Sequence, residues 1–291
     1  MLMKLSGSLV LYNNPSTVYE AAVESFLRAT RDSVLIVVDN SPVPLKSPVF
    51  SHHRVHYVFA GKNLGFGAGH NRAIELAGDS KFHLVMNPDV RFGAEVLDRL
   101  CELMETCGDI GAVMPRIVYP NGTDQHLCKL LPTPADLILR RFAVFDAVRE
   151  WINGRYELSA LPQDEPQDVP TVSGCFLMVR TELVRRLGGF DERYFMYMED
   201  VDLVRRIGDT HRVVYDPTVS VVHGYGRGSY TNLKLLFYHV RSAIKYFCKW
   251  GWVIDKERAR RNKVVLRRLR EGRSPGRRQQ PSEALRLRQW R

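Results

Sequence analysis

Val34-Leu35-Ile36-Val37-Val38 is apolar at five consecutive positions, and residues 82–86 repeat the pattern almost without interruption. Runs this short that do not alternate apolar with polar suit strands covered on both faces. Segments of helical periodicity separate them. The pattern predicts strands at 9–12, 34–38, 55–59, 82–86 and 110–114, and helices at 17–31, about 71–77 and 94–106. Strands that alternate with helices predict an α/β domain with a mostly parallel central sheet and helices on both faces. A strand at 172–180, a short helix at 181–187 and late strands at 212–215 and 218–222 continue it. Between them, residues 123–170 lose periodicity and are broken by prolines, which predicts a variable insertion or loop.

Charge sorts the chain into a body and a tail. Residues 256–291 carry 14 Lys and Arg against 3 Asp and Glu, whereas the first 255 residues carry 28 against 29. The net charge of +10 is therefore a property of the C-terminus. Five cysteines without a CxxC pair suggest neither a disulfide framework nor a zinc site, and point to a reducing compartment. The apolar run near the N-terminus is too short for a signal peptide and no run reaches 18 apolar residues, so the expectation is a cytoplasmic protein.

Polar side chains gather where strands end. Asp39-Asn40-Ser41 follows one strand, Asn87-Pro88-Asp89 another and His223 a third. Ligands of open parallel sheets sit at those carboxyl ends. Taken singly, each has a structural reading: a turn, a helix lead-in, a satisfied core histidine. Gly65-Phe66-Gly67-Ala68-Gly69 lacks the spacing of a dinucleotide loop and reads as a bend that lets the next helix approach a ligand. The densest feature is Gly188-Gly189-Phe190-Asp191-Glu192, then Tyr194-Phe195-Met196-Tyr197-Met198, then Glu199-Asp200-Val201-Asp202. Carboxylates beside buried aromatics are costly unless they have partners or a task. Asp202 is expected to fix that segment by capping.

The order of Asp39-Asn40-Ser41, Asn63-Leu64-Gly65-Phe66-Gly67, Asn71, Asn87-Pro88-Asp89, Gly188-Gly189-Phe190-Asp191-Glu192, Glu199-Asp200-Val201-Asp202 and His223 resembles the family 2 glycosyltransferases of the GT-A fold. Asn87-Pro88-Asp89-Val90, Ser173-Gly174-Cys175-Phe176 and Tyr194-Phe195-Met196-Tyr197-Met198-Glu199-Asp200 bring it nearest the rhamnosyltransferase-like branch, which builds O-antigen and other surface polysaccharides. The likeness covers about residues 5–250. It implies a GT-A domain over 1–230, with a donor half at about 1–120 and an acceptor half at about 170–230. It also implies Asp39, Asn63, Asn71, Asn87 and Asp89 on a nucleotide-sugar donor, and Asp89 and His223 as ligands of Mg²⁺ or Mn²⁺. Arg227, in the glycine-flanked loop just after His223, is expected to close over the donor phosphates. Asp200 is the implied general base, with Ser173, Gly174 and Glu199 on the acceptor side. Asn87 stands where the family's DxD element has its first Asp, so that position brings an amide and no charge. The implied donor is dTDP-L-rhamnose and the implied acceptor a polyprenyl-diphosphate-linked glycan, with inversion at the anomeric carbon. Alternative classes are a nucleotidyltransferase and a nucleotide-sugar-binding or scaffold protein without turnover.

Beyond Tyr230, helical spacing of Leu233, Leu236, Phe237, Val240, Ile244, Phe247 and Trp250 predicts a basic amphipathic segment over 231–271, with 272–291 disordered. From Lys256 onward the sequence is too rich in Arg for packing to explain. It predicts peripheral attachment to an anionic membrane surface, the inner face of the plasma membrane, with no nucleic-acid partner.

Overall fold

The computed structural model describes residues 5–29, 32–142, 154–224 and 232–272. The expectations for Arg227 and for a disordered 272–291 fall largely or wholly outside them.

A nine-stranded sheet forms the core. Its strands are β1 (Leu5–Leu11), β2 (Ser33–Asp39), β3 (Val55–Phe59), β4 (Phe82–Met86), β5 (Val90–Phe92), β6 (Ile110–Val118), β7 (Gln167–Asp168), β8 (Phe176–Arg180) and β9 (Arg212–His223). They run in the order β3-β2-β1-β4-β8-β6-β9-β5, with β7 also on β9. β1 to β4 are mutually parallel, and β6 is parallel to β9. β8 lies antiparallel between these two groups, against β4 and β6. Alternation along β1 assigns its faces. Gly7 sits under Phe26 of α1 (Ser16–Ala29), whereas Ser8 bonds His70 of α2 (Phe66–Glu75) at 2.7 Å. α3 (Ala94–Thr106) joins α1 on one side, and α2 meets α6 (Glu199–Ile207) on the other. Helices therefore cover both faces, as expected, and the doubly covered strands β2 and β4 are buried almost throughout.

Three differences from the expected elements matter for the site. β5 was not foreseen. It runs antiparallel to the end of β9, with Val90 opposite His223. The late strands 212–215 and 218–222 are one strand, β9, whose pairing shifts register where Asp216-Pro217 interrupts the ladder. β8 begins at Phe176 and not at Val172, because residues 173–175 leave the ladder as a turn in which Cys175 N–H donates to Ser173 Oγ at 3.3 Å. Within the expected loop region 123–170, the chain turns at Gly122 and runs back along β6. Gln125 N–H then donates to Ile117 O at 2.9 Å. Helix α4 (Pro134–Phe142) and β7 follow, and after β8 the expected short helix is α5 (Thr181–Arg186).

The C-terminal segment is two helices docked on the body, α7 (Leu233–Trp250) and α8 (Lys256–Glu271). Much of the arginine in α8 is explained by packing, which corrects the sequence expectation. Arg258, 4% exposed, donates to the carbonyls of Pro132, Gly251, Trp252 and Val253. Arg261 bonds Arg205 O and Asp209, Asn262 pairs with the backbone of Leu131, and Arg268 reaches Asp168. Asp255 caps α8 and forms a two-pronged ion pair with buried Arg205 of α6, at 2.7 and 2.8 Å. Among the described residues no helix is long and apolar enough to cross a membrane.

Candidate active site

The β5–β9 pairing creates the first constellation. With Val90 opposite His223 and Gly224 N–H donating to Asp89 O at 3.0 Å, Asp89 is drawn to the end of β9. Its Oδ1 lies 3.3 Å from His223 Nε2, and Asn87 Nδ2 lies 3.2 Å from the same nitrogen. His223 is buried, while the Asp89 side chain is 30% exposed. Sequence reasoning did not foresee the residue behind this histidine. Gln125 Nε2 donates to the carbonyls of His223 at 2.7 Å and of Val118 at 3.4 Å. Carbonyls only accept, so the other end of that amide is Oε1, and it faces His223 Nδ1 at 2.9 Å. An acceptor there requires the proton on Nδ1, and in the neutral ring the lone pair is then on Nε2, which faces both Asp89 and the Asn87 amide nitrogen. Two electron-pair donors 3.3 Å apart repel unless a proton or a cation lies between them. An imidazole nitrogen and a carboxylate oxygen suit a divalent cation, and Gln125 supplies the orienting partner such histidines have. No cluster of three His, Cys, Asp or Glu occurs among the described residues, so most coordination positions would belong to bound oxygens.

The second constellation is the start of α6. Asp200 accepts the N–H groups of Gly174 at 2.9 Å and of Val201 at 2.8 Å. A Cβ at Gly174 would stand 3.1 Å from the Asp200 Cβ and 3.3 Å from Phe66, so any side chain there would press on the acid by a few tenths of an ångström. Its neighbour Glu199 is 4% exposed, and its Oε2 has no hydrogen-bond partner among the described residues. Burial, aided by the charge on Asp200, pushes the Glu199 carboxyl well above the usual carboxylate range. Glu199, expected on the acceptor side, is thus a buried carboxyl whose surroundings favour the protonated form. Tyr197 and Met198, just before α6, both adopt left-handed backbone, with φ of 68° and 69°. Such conformations cost energy in residues with side chains and concentrate at functional sites.

The loop 173–175 joins the two constellations. Gly174 N–H holds Asp200, and Cys175 O accepts Asn87 N–H at 2.8 Å. Burial pushes the Cys175 thiol up to about 12, and the charges of Asp89 and Asp200 both add to the rise. The buried thiol is therefore inert.

The remaining expected donor contacts have other partners here. Asp39 is fully buried and accepts from Ser41 N–H, Leu45 N–H and the Tyr57 hydroxyl. Burial alone would raise its carboxyl, but those bonds outweigh it and hold the carboxyl below its ordinary value. Asn63 Oδ1 accepts Gly65 N–H at 3.0 Å, which sets the entry to α2. Gly65 has φ +90°, and a Cβ there would lie 2.3 Å from Phe195 O, so the glycine loop is pressed against the aromatic segment. The Asn71 amide grips the Phe190 backbone at both ends, 2.7 and 2.9 Å, and pins the 188–192 turn to α2. Asp202 anchors α6 by ion pairing and not by capping. It bonds Arg206, Lys249 and the Trp250 indole at 2.7–2.8 Å.

Residues 9–188 match the family model for glycosyl transferase family 2. The chain belongs to glycosyl transferase family 2. Within that family, an N-acetylglucosaminyl-diphospho-decaprenol L-rhamnosyltransferase of Mycobacterium tuberculosis is 32% identical over 194 residues, 61% of this chain and 61% of that protein. The match therefore spans less than two thirds of this relative's length. The rhamnosyltransferase WbbL of Escherichia coli K12 is 24% identical over 233 residues, 74% of this chain and 82% of that one. Among solved structures, GalNAc-T7 with UDP, GalNAc and Mn²⁺ superposes with a TM-score of 0.58 at 14% identity, covering 86% of this chain and 50% of that one. TarS 1–349 of S. aureus with UDP gives 0.55 at 12% identity, covering 91% and 71%. At such identities the likeness shows the shared GT-A fold.

Proposed function

We propose that this family 2 protein is an inverting glycosyltransferase that moves L-rhamnose from dTDP-L-rhamnose to a hydroxyl of a polyprenyl-diphosphate-linked glycan. The observation that carries the reading is the loop 173–175, which bonds a candidate ligand element on one side and a backbone-held carboxylate on the other. Asp89 and His223, the latter oriented by Gln125, would hold Mg²⁺ or Mn²⁺. When bound, the cation supplies positive charge against the departing diphosphate.

The chain's own groups then have distinct tasks. Asp200, its carboxylate aimed by the N–H groups of Gly174 and Val201, takes the proton from the acceptor hydroxyl. The acceptor oxygen forms a bond to the anomeric carbon from the face opposite the diphosphate. The carbon–oxygen bond to the phosphate breaks, its electron pair goes to the phosphate oxygen, and configuration inverts. The donor base lies across the ends of β1 and β2, where Asp39, held by Ser41, Leu45 and Tyr57, shapes the floor. Rhamnose and the polyprenyl acceptor rest on the names of the two rhamnosyltransferase relatives. Work at an anionic membrane surface follows from such an acceptor and from the C-terminal positive charge.

A thermal-shift series of nucleotide sugars tests the donor. With Mn²⁺ present, dTDP-L-rhamnose should raise the Tm in proportion to ln(1 + [L]/Kd), more than UDP- or GDP-sugars. No shift with any nucleotide sugar would end the reading.

A further inference from the structure

Helix α7 carries apolar side chains on two opposite faces. The inner face is built into the site. Tyr246 and Phe247 are buried, Ser242 Oγ donates to Met196 O at 2.8 Å, and Tyr238 lies against Phe195 with ring centres 4.7 Å apart. The outer face has Leu233, Phe237, Val240 and Ile244 at spacings of four, three and four, and they are 84, 61, 51 and 47% exposed. The helix ends at Gly251, and Trp252, Val253 and Ile254 follow, all exposed, the last two above 80%. Seven exposed large apolar side chains, four along one helix face and three in the turn that follows it, point to an interaction site.

Charge selects the partner. Along α7 a cation follows the apolar stripe one residue on, about 100° round the helix, Lys234 after Leu233 and Arg241 after Val240, whereas Lys245 after Ile244 is turned onto the Arg193 carbonyl. Lys234 and Arg241 are exposed, and exposed Lys256, Lys263, Arg267 and Arg270 extend the positive surface along α8. Protein interfaces deplete lysine, whereas helices that lie in a bilayer surface pair an apolar stripe with flanking Lys and Arg. We propose that the outer face of α7, together with Trp252, Val253 and Ile254, lies in the headgroup–acyl boundary of an anionic bilayer. This rests on the membrane-surface reading above, and it assigns the contact to α7 and its adjoining turn where the sequence pointed to the Arg-rich tail. A bilayer there stands one helix diameter, about 10 Å, from the aromatic segment that leads into Asp200. An acceptor anchored in lipid would be presented on the acceptor side without leaving the membrane.

Vesicle flotation of the full chain tests this. Two compositions serve, phosphatidylcholine alone and phosphatidylcholine with about 30% phosphatidylglycerol, at low and high salt. The wild type should float with the anionic vesicles. Phe237→Glu, and Val253→Glu combined with Ile254→Glu, should each lower partitioning at least about tenfold while circular dichroism and Tm stay unchanged, since these side chains are exposed. Neutralising Arg277→Gln with Arg278→Gln should lower it less. Partitioning of both glutamate variants equal to wild type would overturn the inference and leave the contact to the tail. Absence of wild-type binding would overturn the membrane-surface reading itself. A dimer in light scattering that Phe237→Glu splits, with vesicle binding unaltered, would assign the stripe to a second copy and overturn the inference.

Discussion

Glu199 and Asp200 are consecutive acids with opposite surroundings. Asp200 is partly exposed and accepts two backbone N–H groups, whereas Glu199 is sealed beneath it with one oxygen unpartnered among the described residues. The folded-state pKa of Glu199 is raised, so the folded protein holds a proton that the unfolded chain releases above its ordinary value of 4.5. The stability tied to that proton is complete below about pH 4.5 and is lost as pH rises toward the folded value. Glu199→Gln keeps the shape and removes the titration. Its urea midpoint relative to wild type should therefore improve from pH 4.5 to pH 7.5. An unchanged difference across that range would show that Glu199 is not held neutral. The sequence set Asp200 apart as the implied base but carried no sign that its neighbour would be buried. Burial, which depends on how Gly67 seats Phe190 and Glu199 against α2, separates them.

At the scale of elements, the strand ends were legible because buried parallel strands announce themselves as apolar runs and the chemistry follows at their carboxyl ends. β5 was not, since Val90-Arg91-Phe92 is three residues long and takes its identity from pairing with β9. Gln125 was invisible for a related reason. A lone glutamine in a Pro/Gly-broken stretch carries no signal until the turn at Gly122 returns the chain along β6 and places it behind His223. Gln125→Met keeps the length and removes the acceptor that fixes the Nδ1 proton. Metal-ligand partners of this kind are worth about 10–100-fold in affinity. Mn²⁺ titration by electron paramagnetic resonance, with a nucleoside diphosphate present, should show a weakening in that range. Gln125→Glu, which keeps an oxygen toward Nδ1, should recover part of it. Equal Mn²⁺ affinity in wild type and Gln125→Met would remove Gln125 from the site.

At the scale of the whole molecule, the sequence suggested a neutral body with a separate basic tail, and α8 does not obey that division. Composition cannot reveal which arginines will find acceptors. Arg258 meets four backbone carbonyls, and Arg205 of α6 is buried against Asp255 and stacked 4.0 Å over Trp250. The body and both C-terminal helices should therefore unfold together. Asp255→Ala would leave the Arg205 guanidinium buried without its carboxylate and should cost about 3–5 kcal/mol in urea unfolding. A detached tail would make that substitution neutral.

The proposed function requires Asp200 to take the acceptor proton while Asp89 and His223 serve the donor. The most direct measurement is donor affinity and single-turnover transfer on the same Asp200→Asn protein, with Mn²⁺ and a polyprenyl-diphosphate-linked acceptor. Asparagine can still accept the Gly174 N–H but cannot take the proton. The predicted result is a donor Kd within about twofold of wild type, with transfer slower by about 10²–10⁴-fold. Transfer at the wild-type rate would contradict the account.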